Sequence, residues 1–301
     1  MDLDALSICL SSASCLLTQC FNALVIGMLL FLVASGLTLI FGVLKVVNFT
    51  HGSLYMLGAY FASSLYQDTE SYAVAVLGGA LGVAAFGIFL ERFFFNPLYK
   101  SDFLMQLLMC NGWILILDDL VQILFGADFL SMGMPAAFAR PPVVLAGAPV
   151  PAFYIFLITA SFLVALAVWV LIVKSPFGSK VRAAAVNTSM TAALGINTTA
   201  LYVSVFALGA GLAGLAGALA SPVRSLVPGM GFSILIESFI VTVIGGMGSI
   251  GGALVAAILI GLCRSFGSVG FPFFTEILVF SLMAVVLVTR PNGLFGKAES
   301  R

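Results

Sequence analysis

Uninterrupted apolar stretches recur down this chain, most of them about 20 residues or longer and so able to cross the roughly 30 Å hydrocarbon core of a bilayer. Water is absent there, so each stretch has to close its own backbone hydrogen bonds, which a helix does residue by residue. Of 301 residues, 62% are hydrophobic and 8% charged, against about a quarter charged in soluble domains. The expected fold is all-α: one transmembrane domain over residues 1–301, a polytopic helical bundle of about eight spans with one or two short or broken helices. Twelve basic and twelve acidic residues cancel. The balance therefore gives no pointer to nucleic acid, and the expected surroundings are lipid.

The spans fall near residues 19–44, 46–66, 73–95, 103–125, 152–173, 200–220, 253–266 and 273–289. A shorter apolar piece, 232–244, either crosses with its glycine-rich neighbours or dips in and returns. A short or broken helix is the preferred reading, because irregular backbone at depth needs protein or a water-filled cavity around it. Residues 126–151 are rich in proline and read as an extracytoplasmic loop. In 200–220, Gly209, Ala213 and Gly217 lie four apart, the small-residue spacing that lets membrane helices touch.

The longest polar interruption after the first span is residues 174–199, KSPFGSKVRAAAVNTSMTAALGINTT. Pro176 and Gly178 break the preceding helix. From Lys180 a helical pattern resumes: Ala183, Val186, Met190, Ala193 and Asn197 recur at steps of three and four on one stripe, and Gly195 supplies a stop. Two readings stand side by side. The segment is either a cytoplasmic loop that is basic because such loops are basic, or a short helix whose small-residue stripe is presented to a partner protein.

Charge orients the bundle. With 174–199 inside, Lys45, Arg92, Lys100, Lys174, Lys180, Arg182, Arg290, Lys297 and Arg301 are cytoplasmic, while Arg140, Arg224 and Arg264 are outside. Asp2, Asp4, Asp68 and Glu70 then fall outside, which puts the N-terminus outside and the C-terminus inside. MDLDALSICL has no basic residue and lacks the pattern of a cleavable signal. Cys9, Cys15, Cys20, Cys110 and Cys263 form no CxxC pair and read as packing residues rather than disulfides or metal ligands.

Polar residues inside apolar runs are the candidate sites. His51 is the single histidine, so a histidine metal cluster is excluded and no metal site is expected. With Asn48 and Thr50 it gives the second span a polar start, which either lines a polar path and orders the first two helices or caps a helix at the membrane surface. Glu237 lies within FSILIESFIVTVI, where an ionised side chain is costly and should face a cavity or a partner such as Arg224 or Arg264. Glu91 beside Arg92 reads as a surface ion pair. GMGSIG at 246–251 matches G-x-G-x-x-G but lies between membrane segments, so Gly246, Gly248 and Gly252 are assigned to a tight turn and close helix contact rather than to a dinucleotide. The chain has no G-x-x-x-x-G-K-[ST] phosphate loop with which to hydrolyse ATP.

Four stretches together resemble the permeases of branched-chain amino-acid ABC importers, the LivH-like members more than the LivM-like ones: GLTLIFGVLKVVNFTHGSLYMLGAY (36–60), RAAAVNTSMTAALGIN (182–197), IVTVIGGMGSIGGALVAA (240–257) and RPNGLFG (290–296). Thr50 departs from the alanine more usual before His51. The resemblance implies a bacterial inner-membrane subunit without a cofactor of its own. It would pair with a second, LivM-like permease, two cytoplasmic ATPases that bind the ATP, and a periplasmic binding protein. It also implies a coupling helix for the ATPases, carried here by Arg182, Ala183, Ala184, Val186, Met190, Ala193, Leu194, Gly195 and Asn197. The solute is left open between branched-chain amino acids and urea, amides or aromatic acids. A stand-alone channel or ion-coupled carrier, motivated by Glu237, is the reading from another class.

Overall fold

A computed structural model describes residues 3–296; the charges at Asp2, Lys297 and Arg301 lie outside the described residues. After a short helix α1 (Leu3–Ser11), α2 (Ala13–Leu44) runs 32 residues, about 48 Å at the usual rise and so longer than a bilayer core is thick. It stops where Lys45 turns left-handed (φ 55°) and caps it through its N–H to Phe41 O. Residues 45–50 are not helical. They fold back along α2, so that α3 (His51–Thr69) starts beside Val33, roughly 16 Å short of the end of α2 by helical rise. The second span, expected from residue 46, therefore begins within the bundle.

Then follow α4 (Tyr72–Leu90), drawn out by a π turn at Glu91–Phe95 and a 3₁₀ turn at Asn96–Lys100, and α5 (Phe103–Phe125). The connection to α6 (Ala152–Lys174) adds to the helical bundle a small hairpin, β1 (Val143–Leu145) paired antiparallel to β2 (Ala148–Val150). The chain continues through α7 (Pro176–Val186), α8 (Thr188–Ala193), α9 (Thr198–Ala220), α10 (Met230–Gly245), α11 (Ile250–Gly270) and α12 (Thr275–Thr289). Among the described residues, 7 helices are long and apolar enough to span a membrane, with the 16-residue α10 a shorter apolar helix. The chain is a polytopic helical bundle.

Two expectations fail for reasons the packing makes plain. Glu91 is no surface ion pair: it is buried, and its Oε2 accepts from the Tyr99 hydroxyl rather than meeting Arg92. Cys9 and Cys15 are joined in a disulfide (Cα–Cα 5.2 Å), because α1 turns back on the start of α2 and brings them together; Cys20, Cys110 and Cys263 are free.

The core is α2, α3 and α9, with α4, α10 and α11 around them. Their approach is backbone to backbone. A side chain at Gly58 of α3 would overlap Gly214 of α9, and one at Gly217 would overlap Tyr55 O. The Gly209–Ala213–Gly217 ridge is thus a packing face: a Cβ added at Gly209 would come within 2.7 Å of Ile40 Cδ1, and Ala213 is fully buried.

The 232–244 question resolves into α10, which runs antiparallel to α11. Gly245 abuts Gly252 at one end of the pair, and Glu237 meets Arg264 nearer the other. Gly246 (φ 97°) and Gly248 (φ 86°) make the turn, and Ser249 caps α11 by accepting from Gly252 N at 3.1 Å. The RPNGLFG stretch serves the same corner. Leu294 N–H donates to Ile244 O (2.8 Å) and Phe295 N–H to Gly245 O (3.1 Å), satisfying carbonyls that the end of α10 leaves open.

Filling a site that has no room costs about 1–3 kcal/mol and more against backbone. Gly58→Leu and Gly217→Leu are each expected to lower the thermal midpoint of the purified protein by roughly 5–10 °C. Gly112→Ala, where an added Cβ meets nothing within 4 Å, leaves the midpoint unchanged. Differential scanning fluorimetry in detergent checks both, and an unshifted Gly58→Leu would refute the close packing.

Candidate functional site

Two places carry the predicted residues: a polar elbow at one end of the bundle and a cleft in its other half. At the elbow, Ser175 accepts from Gly178 N (3.1 Å) and Pro176 occupies the first turn, so α7 starts at once. Gly178 therefore lies inside α7 and packs on Ile172 O rather than breaking a helix. The expected single helix from Lys180 is two. Asn187 ends α7 and caps α8, accepting from Met190 N at 2.9 Å.

The split leaves the predicted stripe outward. Ala183, Val186, Met190, Ala193 and Asn197 are all exposed. Val186, Met190 and Leu194 are 83%, 62% and 74% exposed, an apolar knob on a polar segment. Gly195 (φ 81°) turns the chain away from α8 with open space around it. Asn197 caps α9, accepting from Ala200 N at 3.0 Å. Arg182 braces the α6–α7 corner, donating to Ile172 O and to Ser179 Oγ. Ala184 is a correction. It is buried with Val181 against Leu39 and Val43 of α2 and Leu201 and Val205 of α9, so it anchors the elbow and presents nothing outward.

Lys45, Met247, Gly248, Asn292 and Gly296 line one hollow, and Leu39 and Val43 hold α7, so the elbow, the α10–α11 turn and the 290–296 stretch share one end of the bundle. The 126–151 connection is at the other, where Leu130 pairs with Leu226 and Phe138 stacks on Tyr72, Phe153 and Phe156.

The cleft opens in that second half. It is a cavity of about 120 Å³ between α2, α3, α6, α10 and the turn after α9, lined by Leu29, Leu30, Val33, Tyr55, Tyr154 and Arg224 among others. Through Val25, Ile26 and Tyr154 it continues into a second hollow of about 190 Å³ edged by Gln19, Asn22, Ser265 and Ser268. Beside it stands a charge cluster. Glu237 Oε1 is 2.9 Å from Arg264, its Oε2 is 3.9 Å from Arg224, and Arg264 also reaches Glu276 at 3.3 Å. Tyr55 hydrogen-bonds Arg224. Arg224 and Arg264, the partners expected for Glu237, neutralise a carboxylate that could not stay charged alone in an apolar setting.

The other path candidates do not line the cleft. Asn48, Thr50 and His51 are fully buried where the chain folds back: Asn48 Oδ1 accepts from Thr50 N (3.0 Å), Thr50 donates to Cys110 O (3.4 Å), and His51 Nε2 lies 3.0 Å from Val33 O. A carbonyl partner requires the proton on Nε2, and Nδ1 has no partner. These residues order the first two helices and are no surface cap. Tyr55, Tyr154, Ser265 and Ser268 were missed, because nothing separates a cleft tyrosine or serine from a packing one in a single sequence.

A sequence profile for the family described as "Branched-chain amino acid transport system / permease component" matches residues 19–288. The chain belongs to this family. Its relatives include the high-affinity branched-chain amino acid transport system permease protein BraD of Pseudomonas aeruginosa, 29% identical over 296 residues covering 94% of this chain and 96% of BraD. The LivH permease protein of Salmonella typhimurium is 28% identical over 298 residues, with 94% and 96% covered. A probable LivH of Methanocaldococcus jannaschii is 27% identical over 289 residues, with 91% of each chain covered. No solved structure matches. The protein is thus a multi-pass membrane permease component, and its relatives are transporter subunits rather than enzymes.

In this permease Glu237 and Arg264 stand or fall together. Glu237→Gln leaves Arg264, 18% exposed along its side chain, with only the exposed Glu276 as a carboxylate partner and is expected to cost about 2 kcal/mol, below the figure for a fully buried pair because water and Glu276 reach this one. Glu237→Gln combined with Arg264→Gln should recover about half of that. Thermal midpoints of the two single variants and the double one test the coupling; strict additivity would contradict it.

Proposed function

We propose that the protein is the membrane permease subunit of an ABC importer of branched-chain amino acids in a bacterial inner membrane, with the N-terminus outside and the elbow inside. Its partners are a second, LivM-like permease, two ATPases that dock on the elbow and hydrolyse the ATP, and a periplasmic binding protein. The single observation behind the docking reading is the exposed Val186–Met190–Leu194 knob on an otherwise polar elbow. Apolar side chains held out at the end of a rigid helix fit a groove on a partner.

The elbow is also firmly joined to the bundle, as a lever must be. Thr188 and Tyr202 hydroxyls meet at 2.9 Å, and Val181 and Ala184 are packed into the start of α9. An ATPase that moved α8 would move α9, and α9 is the helix against which α3 and α2 close. Glu237 is already engaged by Arg264, which favours a fixed charge in the path over a proton carrier.

The test is leucine uptake into proteoliposomes. Met190→Glu with Leu194→Glu is expected to reduce ATP-driven uptake at least roughly tenfold, the equivalent of about 1.4 kcal/mol of lost docking, while the permease still inserts and keeps its thermal midpoint. Vesicles containing the permeases alone should take up no leucine. Uptake there without ATPases would support the channel or carrier reading instead, and uptake of urea or aromatic acids in place of leucine would move the substrate assignment.

A further inference from the structure

The cleft beside Glu237 combines three features. One wall is apolar, formed by Leu29, Leu30, Val33 and Ile234. Facing it is Arg224, 38% of whose side chain is exposed. Arg264 has already taken Glu237 at 2.9 Å and Glu276 at 3.3 Å. Arg224, 3.9 Å from Glu237, therefore keeps guanidinium N–H groups for another acceptor, since five donors serve one tyrosine hydroxyl and one distant carboxylate. The third feature is Glu237 Oε2, a buried acceptor with no hydrogen bond. A guanidinium on the cleft wall with donors to spare and, 3.9 Å behind it, a buried carboxylate oxygen without a hydrogen bond, across from an apolar wall, describe the complement of a small zwitterion. The cavity itself is about 120 Å³, room for one small solute and well below the roughly 300–1,000 Å³ of drug-sized ligand sites.

We propose that this cleft is a substrate station of the permease that binds an apolar α-amino acid as its zwitterion, the carboxylate on Arg224, the ammonium drawn to Glu237 Oε2, and the side chain against Leu29, Leu30, Val33 and Ile234. A guanidinium meets a carboxylate with two parallel hydrogen bonds, which fixes orientation as well as charge. The hollow edged by Gln19, Asn22, Ser265 and Ser268 is the polar approach to it. The station selects by charge pattern: urea and neutral amides lack the carboxylate, and aromatic acids lack the ammonium. This rests on the importer reading above and adds that the permease itself, and not only a binding protein, recognises the solute.

The experiment uses the assembled importer in nanodiscs, without the binding protein, carrying Val223→Cys on the cleft wall; labelling by a maleimide is measured against the same complex without that cysteine. L-leucine at millimolar concentration is expected to slow labelling at least threefold. Leucinamide and 4-methylpentanoate, each lacking one of the two charges, should slow it less than 1.5-fold. Arg224→Gln should remove the leucine effect. Equal protection by all three compounds, or none by leucine, overturns the proposal without reference to any variant that might fold poorly. Stimulation of ATP hydrolysis by the loaded binding protein, measured on the same nanodiscs, reports separately on the importer reading. Intact stimulation with no leucine protection would sink the station alone.

Discussion

Inside a bilayer no backbone N–H or C=O can be left to solvent, so a chain that interrupts its helices there must cover each break with protein. This permease interrupts two of them. Residues 45–50 return along α2 before α3 begins, and the first turn of α10 sets Gly231 against the backbone of Gly52 in the first turn of α3. The cover is backbone-to-backbone contact: α9 lies on α3 at Gly58–Gly214 and Gly217–Tyr55, closer than any side chain would allow. Asn48, Thr50 and His51 then satisfy the fold-back from within. Without that contact the breaks would be open and the cleft above them would have no floor.

The same contact makes α9 a strut between the two ends. Its start is bound to the elbow through Tyr202 and Leu201, and its far half bears on α3 next to Tyr55. Tyr202 also stacks edge-on with Tyr99, which donates to the buried Glu91, so the end of α4 is tied into the corner. One helix thus joins the base of the exposed knob to α3, the helix that carries Tyr55 into the cleft. The 290–296 stretch finishes the arrangement by capping α10 at the elbow end.

The sequence made the bundle legible because spans of this length and hydropathy have almost no other fold. The small-residue ridge at Gly209, Ala213 and Gly217 was readable for the same reason, and so was the outward stripe of the elbow, where spacing alone selects a face. What could not be read depended on how the chain turns and which segments those turns bring together. The fold-back at 45–50 shows only as polar residues at the head of a span, which a surface cap explains equally well. Ala184 falls between stripe residues and faces inward because α7 is held by Ser175 and broken at Asn187, an angular detail beyond a periodicity count. For Glu237 the candidates Arg224 and Arg264 could be named, but not that both would reach it, which the α10–α11 pairing brings about. Cys9 and Cys15 lie six residues apart, and only the reversal between α1 and α2 makes them neighbours.

The central claim is that the elbow faces the ATP-bearing side and the cleft the other. Its most direct measurement is sided labelling of Met190→Cys with a membrane-impermeant maleimide, with Asp128→Cys in the 126–151 connection as the opposite marker. The account predicts that Met190→Cys reacts in inside-out vesicles and not in intact spheroplasts, and that Asp128→Cys does the reverse. Labelling of Met190→Cys from outside the spheroplast would contradict it.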